Sequence, residues 1–104
     1  MQHKAVFALS LCRKAGALVM GFDAVKESVY KGKAVLVLYA QDASAGTQAR
    51  VRRFCEGTCE VLELPCTQAQ LASVTKKPTA VLAVQNAELA KLCAAAVDAA
   101  PGHD

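Results

Sequence analysis

Hydrophobic positions along this chain alternate between two patterns, stripes at helical spacing and short unbroken apolar runs. Ala5, Ala8, Leu9 and Cys12 recur at i, i+3, i+4 and i+7, while Lys4, Ser10, Arg13 and Lys14 fall off that stripe. The spacing predicts a helix over residues 3–15, stopped by Gly16. Residues 17–20 are a short apolar run and read as a short strand. Gly21 opens a second helix that continues through Lys31 and closes at Gly32, with Glu27 and Lys31 at the favourable i, i+4 spacing. Residues 34–40, Ala-Val-Leu-Val-Leu-Tyr-Ala, are apolar without alternation, which predicts a central strand covered on both faces.

Ser44 is suited to cap a third helix, with Thr47, Val51, Phe54 and Cys55 on its inner face and Arg50 and Arg53 outside. Gly57 ends that helix, and residues 60–64 form a strand stopped by Pro65. Thr67 and Gln70 have the spacing of a capping box, opening a short helix that carries Leu71 and Val74. Lys76-Lys77-Pro78 reads as a loop and residues 79–84 as a second buried strand. Asn86 caps a last helix with the face Leu89, Leu92, Cys93 and Ala96, closed by Pro101-Gly102. Strict alternation of five helices with four strands predicts an α/β fold with a mostly parallel or mixed sheet and helices on both faces. Val35, Val37, Val81 and Ala83 are expected on the central strands, with Leu9, Phe54 and Leu92 packed against the sheet.

Composition limits the possibilities further. A chain of 104 residues suits one domain over residues 1–104, and 54% hydrophobic against 20% charged residues excludes intrinsic disorder. No apolar run approaches the roughly 20 residues of a membrane-spanning helix. Met1-Gln2-His3-Lys4 leads into an amphipathic stripe and not into a signal-peptide core. The expectation is a cytoplasmic monomer without a membrane partner. The net charge of +3 conceals an asymmetry: residues 1–53 hold nine Lys/Arg and three acids, and residues 54–104 hold three Lys and six acids. A basic half suggests an anionic partner, of which nucleic acid is the commonest, with scattered solvated charge as the alternative.

Signatures of catalysis are missing. Gly16 and Gly21 are too far apart for a dinucleotide-binding turn, and there is no P-loop. Asp42 follows a buried strand, as a phosphoacceptor would, but lacks companion acids and reads as a turn or capping residue. Cys12, Cys55, Cys59, Cys66 and Cys93 contain no Cys-x-x-Cys, and His3 and His103 lie at the chain ends, so neither a metal nor a Cys/His site is indicated. The cysteines read as reduced, buried small hydrophobes. No enzyme activity and no cofactor are expected.

What remains is basic side chains at loop ends around the Gly21 turn, whose following helix offers free N–H groups to an anion. The segments Lys14-Ala15-Gly16-Ala17-Leu18-Val19-Met20-Gly21-Phe22-Asp23, Lys31-Gly32-Lys33-Ala34 and Ala40-Gln41-Asp42-Ala43-Ser44 resemble the ribosomal kink-turn-binding proteins of the L-seven-Ae superfamily, nearest the bacterial YlxQ-type branch. The resemblance covers residues 5–97. It implies a three-layer α-β-α sandwich with a mixed four-stranded sheet, and a non-enzymatic protein that binds structured RNA of ribosomal or kink-turn type, with ribosomal or translation proteins as further partners. A family motif of Gly-x-Asn-Glu-x-x-Lys maps onto Gly21, with Asp23 at the asparagine, Ala24 at the glutamate and Glu27 at the lysine position; Lys26 is one residue off. A second family contact, Leu-Gly-x-Ala-x-Gly before a basic residue, maps onto Leu71 through Lys77 with both glycines replaced. By this resemblance Gly21 offers backbone amides, Asp23 reads a base edge, and Lys26, Lys33, Lys76 and Lys77 hold phosphates. A protein-interaction module on the same fold is the alternative, to which Ala24 and Glu27 are suited.

The cysteine reading has a direct check. Protein purified under reducing conditions is expected to carry five free thiols and no stoichiometric metal; elemental analysis returning about one zinc per chain would contradict it.

Overall fold

A computed structural model describes residues 4–98. Its elements are α1 (Lys4–Lys14), β1 (Leu18–Met20), α2 (Phe22–Tyr30), β2 (Leu36–Tyr39), α3 (Ala45–Cys55), β3 (Glu60–Glu63), α4 (Gln68–Thr75), β4 (Val81–Val84) and α5 (Ala87–Asp98). The order is the predicted one, with bounds drawn in slightly. The expected helix start at His3, the stop at Pro101-Gly102, and His103 lie outside the described residues.

The strands form one mixed sheet in the order β1-β4-β2-β3. β4 runs antiparallel to both its neighbours, β1 and β2, whereas β2 pairs parallel with β3 across the α3 crossover. The apolar runs of β2 and β4 resolve into alternation because both faces are covered. Leu36, Leu38, Leu82 and Val84 pack with Leu9 and Cys12 of α1, Leu71 of α4 and Cys93 of α5. Val37, Tyr39, Val81 and Ala83 pack with Val25 and Val29 of α2 and Val51 and Cys55 of α3. The result is a three-layer sandwich, α1, α4 and α5 on one face and α2 and α3 on the other. β1 and β3 are the sheet edges; β3 has exposed Glu60 and Glu63 at its ends.

Helix ends follow the sequence signals. The Ser44 hydroxyl accepts from Thr47 N (3.1 Å), and the Asn86 carboxamide oxygen accepts from Leu89 N (3.0 Å). Thr67 and Gln70 close a complete capping box. Gly16, at φ 72°, ends α1 with paired bonds from Gly16 N to Arg13 O and from Ala17 N to Cys12 O. Lys76 adopts the same left-handed conformation at the end of α4, with φ 73°. Asp42 is a capping residue: its carboxylate accepts from Gln68 N at the start of α4 (3.0 Å).

Three positions depart from expectation. Val35 lies in the bend before β2, keeps a backbone bond from its N–H to Val84 O, and is 41% exposed. Leu92 is 42% exposed, because α5 centres its inner face on Ala90, Cys93 and Ala96. A helix turns about 100° per residue, so Leu92 faces outward beside Phe7 and Leu11. Thr47 is only half-buried, and Ala43 fills the inner position instead. Phe54 is half-buried and packs against the α2–α3 cluster as expected.

Four cysteines are buried and Cys59 is half-buried, all of them free thiols. Cys12 Sγ and Cys93 Sγ meet at 3.4 Å between α1 and α5. That hydrogen bond and burial hold the Cys93 thiol above its ordinary range. Burial, and after it the Cys59 thiol, pushes Cys55 up to about 12.

Two stability measurements follow. A neutral thiol held in the core favours the fold below the ordinary thiol range; that contribution is lost as pH rises toward the folded value. Urea midpoints should therefore fall between the ordinary value of 9.0 and about 12, and Cys55→Ala should make that fall shallower. Lys76→Gly should relieve left-handed strain and stabilise the domain by about 0.5–1 kcal/mol after the unfolded-state cost of glycine. An unchanged or lower urea midpoint for Lys76→Gly would show that the strain at this turn does not exceed the unfolded-state cost of glycine.

Candidate functional site

β1 and β2 flank β4 and both run against it, so both end where β4 begins. Each is followed by a helix on the same face of the sheet. The start of α2, the first turns of α3 and the loop entering β4 are thereby brought to one place. Gly21 joins the first to the last, its N–H donating to Val81 O at 2.9 Å. Its φ of 102° is a backbone conformation that side-chain-bearing residues rarely adopt.

Between these segments lies an open groove of ≈ 670 Å³. Gly21, Phe22 and Asp23 form one wall, Thr47 and Arg50 of α3 another, and Thr75 with residues 77–81 the third. The loop is held by the Thr79 hydroxyl, which donates to Lys77 O at 3.0 Å, with the Thr75 hydroxyl reaching the same carbonyl. α3, α4 and α5 each carry a side-chain cap, whereas α2 has glycine at its N-cap and no side-chain cap bond. No side chain therefore caps the leading amides of α2, and the groove lies beside the positive end of its dipole.

Two smaller hollows flank it. One, of ≈ 540 Å³ between α2 and α3, shares Phe22 and Arg50 with the groove and adds Lys26, Tyr30, Arg53 and Phe54. The other, of ≈ 310 Å³, is lined by Ser10, Arg13 and Lys14 of α1 together with Ser73, Val74 and Lys76. The Arg13 guanidinium donates to Val74 O, tying α1 to α4 there. Lys76 and Lys77, adjacent in the chain, thus line different hollows, because the left-handed turn at Lys76 redirects the backbone between them.

Of the residues singled out in the sequence, Gly21, Asp23 and Lys77 meet in the groove, Lys26 lines the next hollow, and Lys76 lines the opposite flank. Lys33 is set apart. It follows the C-terminal end of α2, next to Val35 at the Val84 end of β4, whereas Gly21 binds the Val81 end. Arg50, which sequence reasoning placed only on the outer face of α3, proves to be shared by two hollows. Its i, i+3 spacing to Arg53 was a visible signal, but that α2 lies beside α3 depends on the strand order.

Together the three hollows are lined by seven cations, Arg13, Lys14, Lys26, Arg50, Arg53, Lys76 and Lys77, against one acid, Asp23. Most of the positive charge of the chain is collected on this surface. Arg52 is used elsewhere, donating to the Tyr39 hydroxyl at 2.7 Å. Among the described residues no group of three or more His, Cys, Asp or Glu side chains could hold a metal ion, and no helix is long and apolar enough to cross a membrane. The arrangement can hold phosphate oxygens by charge and by backbone N–H, while Asp23 can accept from the N–H groups of a base edge.

The model of the ribosomal protein L7Ae/L30e/S12e/Gadd45 family matches residues 4–96. Among solved structures, a protein of unknown function from Bacillus halodurans is 25% identical with a TM-score of 0.84, the match covering 93% of this chain and 99% of that one. The 15.5kD RNA binding protein of Giardia lamblia is 22% identical with a TM-score of 0.71, over 91% of this chain and 82% of that one. No curated protein sequence matches the chain.

Proposed function

The chain belongs to the ribosomal protein L7Ae/L30e/S12e/Gadd45 family, and on that premise we propose that it is a non-enzymatic, cytoplasmic protein that binds structured RNA. The observation that carries the proposal is the groove at the uncapped start of α2, where Gly21, Asp23, Arg50 and Lys77 converge within the cation-rich surface. A phosphate seated there meets the leading amides of α2 and two cationic side chains. Asp23, on the rim, faces a base and not a phosphate, since two anions in contact repel. Lys26 and Arg53 extend the phosphate contacts on one side, and Arg13, Lys14 and Lys76 on the other. Lys33 takes no part. The Giardia protein that shares the fold is named for RNA binding, which agrees with this reading.

A preference for kink-turns is weakened by Ala24 and Glu27, both exposed on the outer side of α2. Glu27 pairs at 3.6 Å with Lys31, the residue that follows α2, which occupies one further cation. These two residues favour the second reading, a protein-interaction module in which the groove has lost RNA.

Salt dependence separates the two. Phosphate contacts release counterions, so log affinity for a structured RNA should fall linearly with log salt, with a slope of magnitude about 5–6 for the seven cations. Arg50→Ala and Lys77→Ala should each flatten that slope by about 1, and Lys33→Ala should leave it unchanged. Ala24→Glu combined with Glu27→Lys should raise the preference for a kink-turn over a plain duplex by two contacts of about 1 kcal/mol each. Filter binding at two or more salt concentrations measures all of this. Salt-independent or undetectable binding by the wild type, with no gain in the restored variant, would leave the protein-interaction reading in its place.

A further inference from the structure

The hollow between α2 and α3 differs in kind from the groove beside it. Its lining is three aromatic rings, Phe22, Tyr30 and Phe54, and three cations, Lys26, Arg50 and Arg53, with no acid among them. Phe54 is the hub. Phe22 meets it edge-on with ring centroids 5.5 Å apart, and Tyr30 does so at 6.5 Å. Phe22 and Phe54 also pack against the core cluster beneath, whereas Tyr30 stands 68% exposed. Lys26 Nζ lies 5.7 Å from the centre of the Tyr30 ring. The ring is thus positioned by an aromatic and a cationic neighbour while most of its surface faces water.

We propose that this hollow is a stacking site for an unpaired nucleotide of the bound RNA, with the base on the Tyr30 ring and the adjoining phosphates held by Lys26, Arg50 and Arg53. The proposal rests on the RNA-binding reading above and extends it from the paired part of the RNA to a single-stranded flank. An unpaired nucleotide supplies both things the hollow selects for, a planar ring system and an anion, within one residue of the strand. An acidic peptide would neutralise the cations but leave the ring without a planar partner. Phe22 and Arg50 belong to both the groove and the hollow, so the two adjoin and one strand can engage both. Every base has a π face, so the site accepts any of the four.

The chain itself supplies the probe. It has no tryptophan and two tyrosines, and Tyr39 is buried in the sheet. In a Tyr39→Phe variant Tyr30 is the only tyrosine, and its emission reports on stacking. Two RNAs are compared at low salt: a blunt hairpin, and the same hairpin with a flank of three unpaired nucleotides. The flanked RNA should quench Tyr30 emission and bind about tenfold more tightly than the blunt one. Tyr30→Ala should abolish that gain and leave blunt-hairpin affinity unchanged, and Tyr30→Phe should restore it. Equal affinities for the two RNAs with unchanged emission, or a gain that survives Tyr30→Ala, would overturn the stacking site while leaving RNA binding intact. Failure of both RNAs to bind would instead overturn the RNA-binding reading, and the stacking site with it.

Discussion

The antiparallel insertion of β4 between β1 and β2 is the constraint on which the rest of the molecule depends. Because β1 and β2 then run the same way, both deliver the chain to the end of the sheet where β4 starts. Two helices must begin there, on the face that Val37, Tyr39, Val81 and Ala83 leave to be covered. The driving force is burial: all eight side chains of β2 and β4 are out of water, and each valine or leucine among them contributes about 1.5–3 kcal/mol relative to exposure. Neither face of the sheet can be left bare, so the α2–α3 layer is obligatory. The groove is a by-product of how that layer must start.

Within the groove, electrostatics and backbone geometry work together. Glycine at the N-cap of α2 supplies a φ that brings Gly21 N–H onto Val81 O, and it has no side chain to occupy the helix amides. The other helices with described caps satisfy their own amides with Ser44, Thr67 and Asn86. An open helix start beside Arg50 and Lys77 is thus a local exception among the helices whose caps are described. Amides left open in this way are free to bond water or an anion.

Much of this was legible in the sequence, for local reasons. Caps at Ser44, Thr67 and Asn86, stops at Gly16, Gly32 and Gly57, and the apolar runs of β2 and β4 each depend on residues close together in the chain, and all appeared where expected. Val35 and Leu92 were misread because composition does not say where helical cover ends. The inner face of α5 is set by Ala90, Cys93 and Ala96, with Leu89 packed beside them and Leu92 outside it. Gly21, Asp23 and Lys77 could be grouped through the family resemblance. The partition of Lys76 from Lys77, the distance of Lys33 and the sharing of Arg50 could not. Each depends on strand order or on a left-handed turn at a lysine, where the sequence holds no glycine to mark it.

The open side of β3 has its own consequence. A bare strand edge offers unpaired N–H and C=O groups to any other strand, and a second copy of the same edge is always at hand in a concentrated solution. Here the strand is Glu-Val-Leu-Glu, with both glutamates exposed. An antiparallel copy in full register would set Glu60 of each chain against Glu63 of the other, placing like charges directly across the new ladder. Continuous sheet growth is thus resisted by two carboxylates, and β1, only three residues long, offers little length for pairing at the other edge.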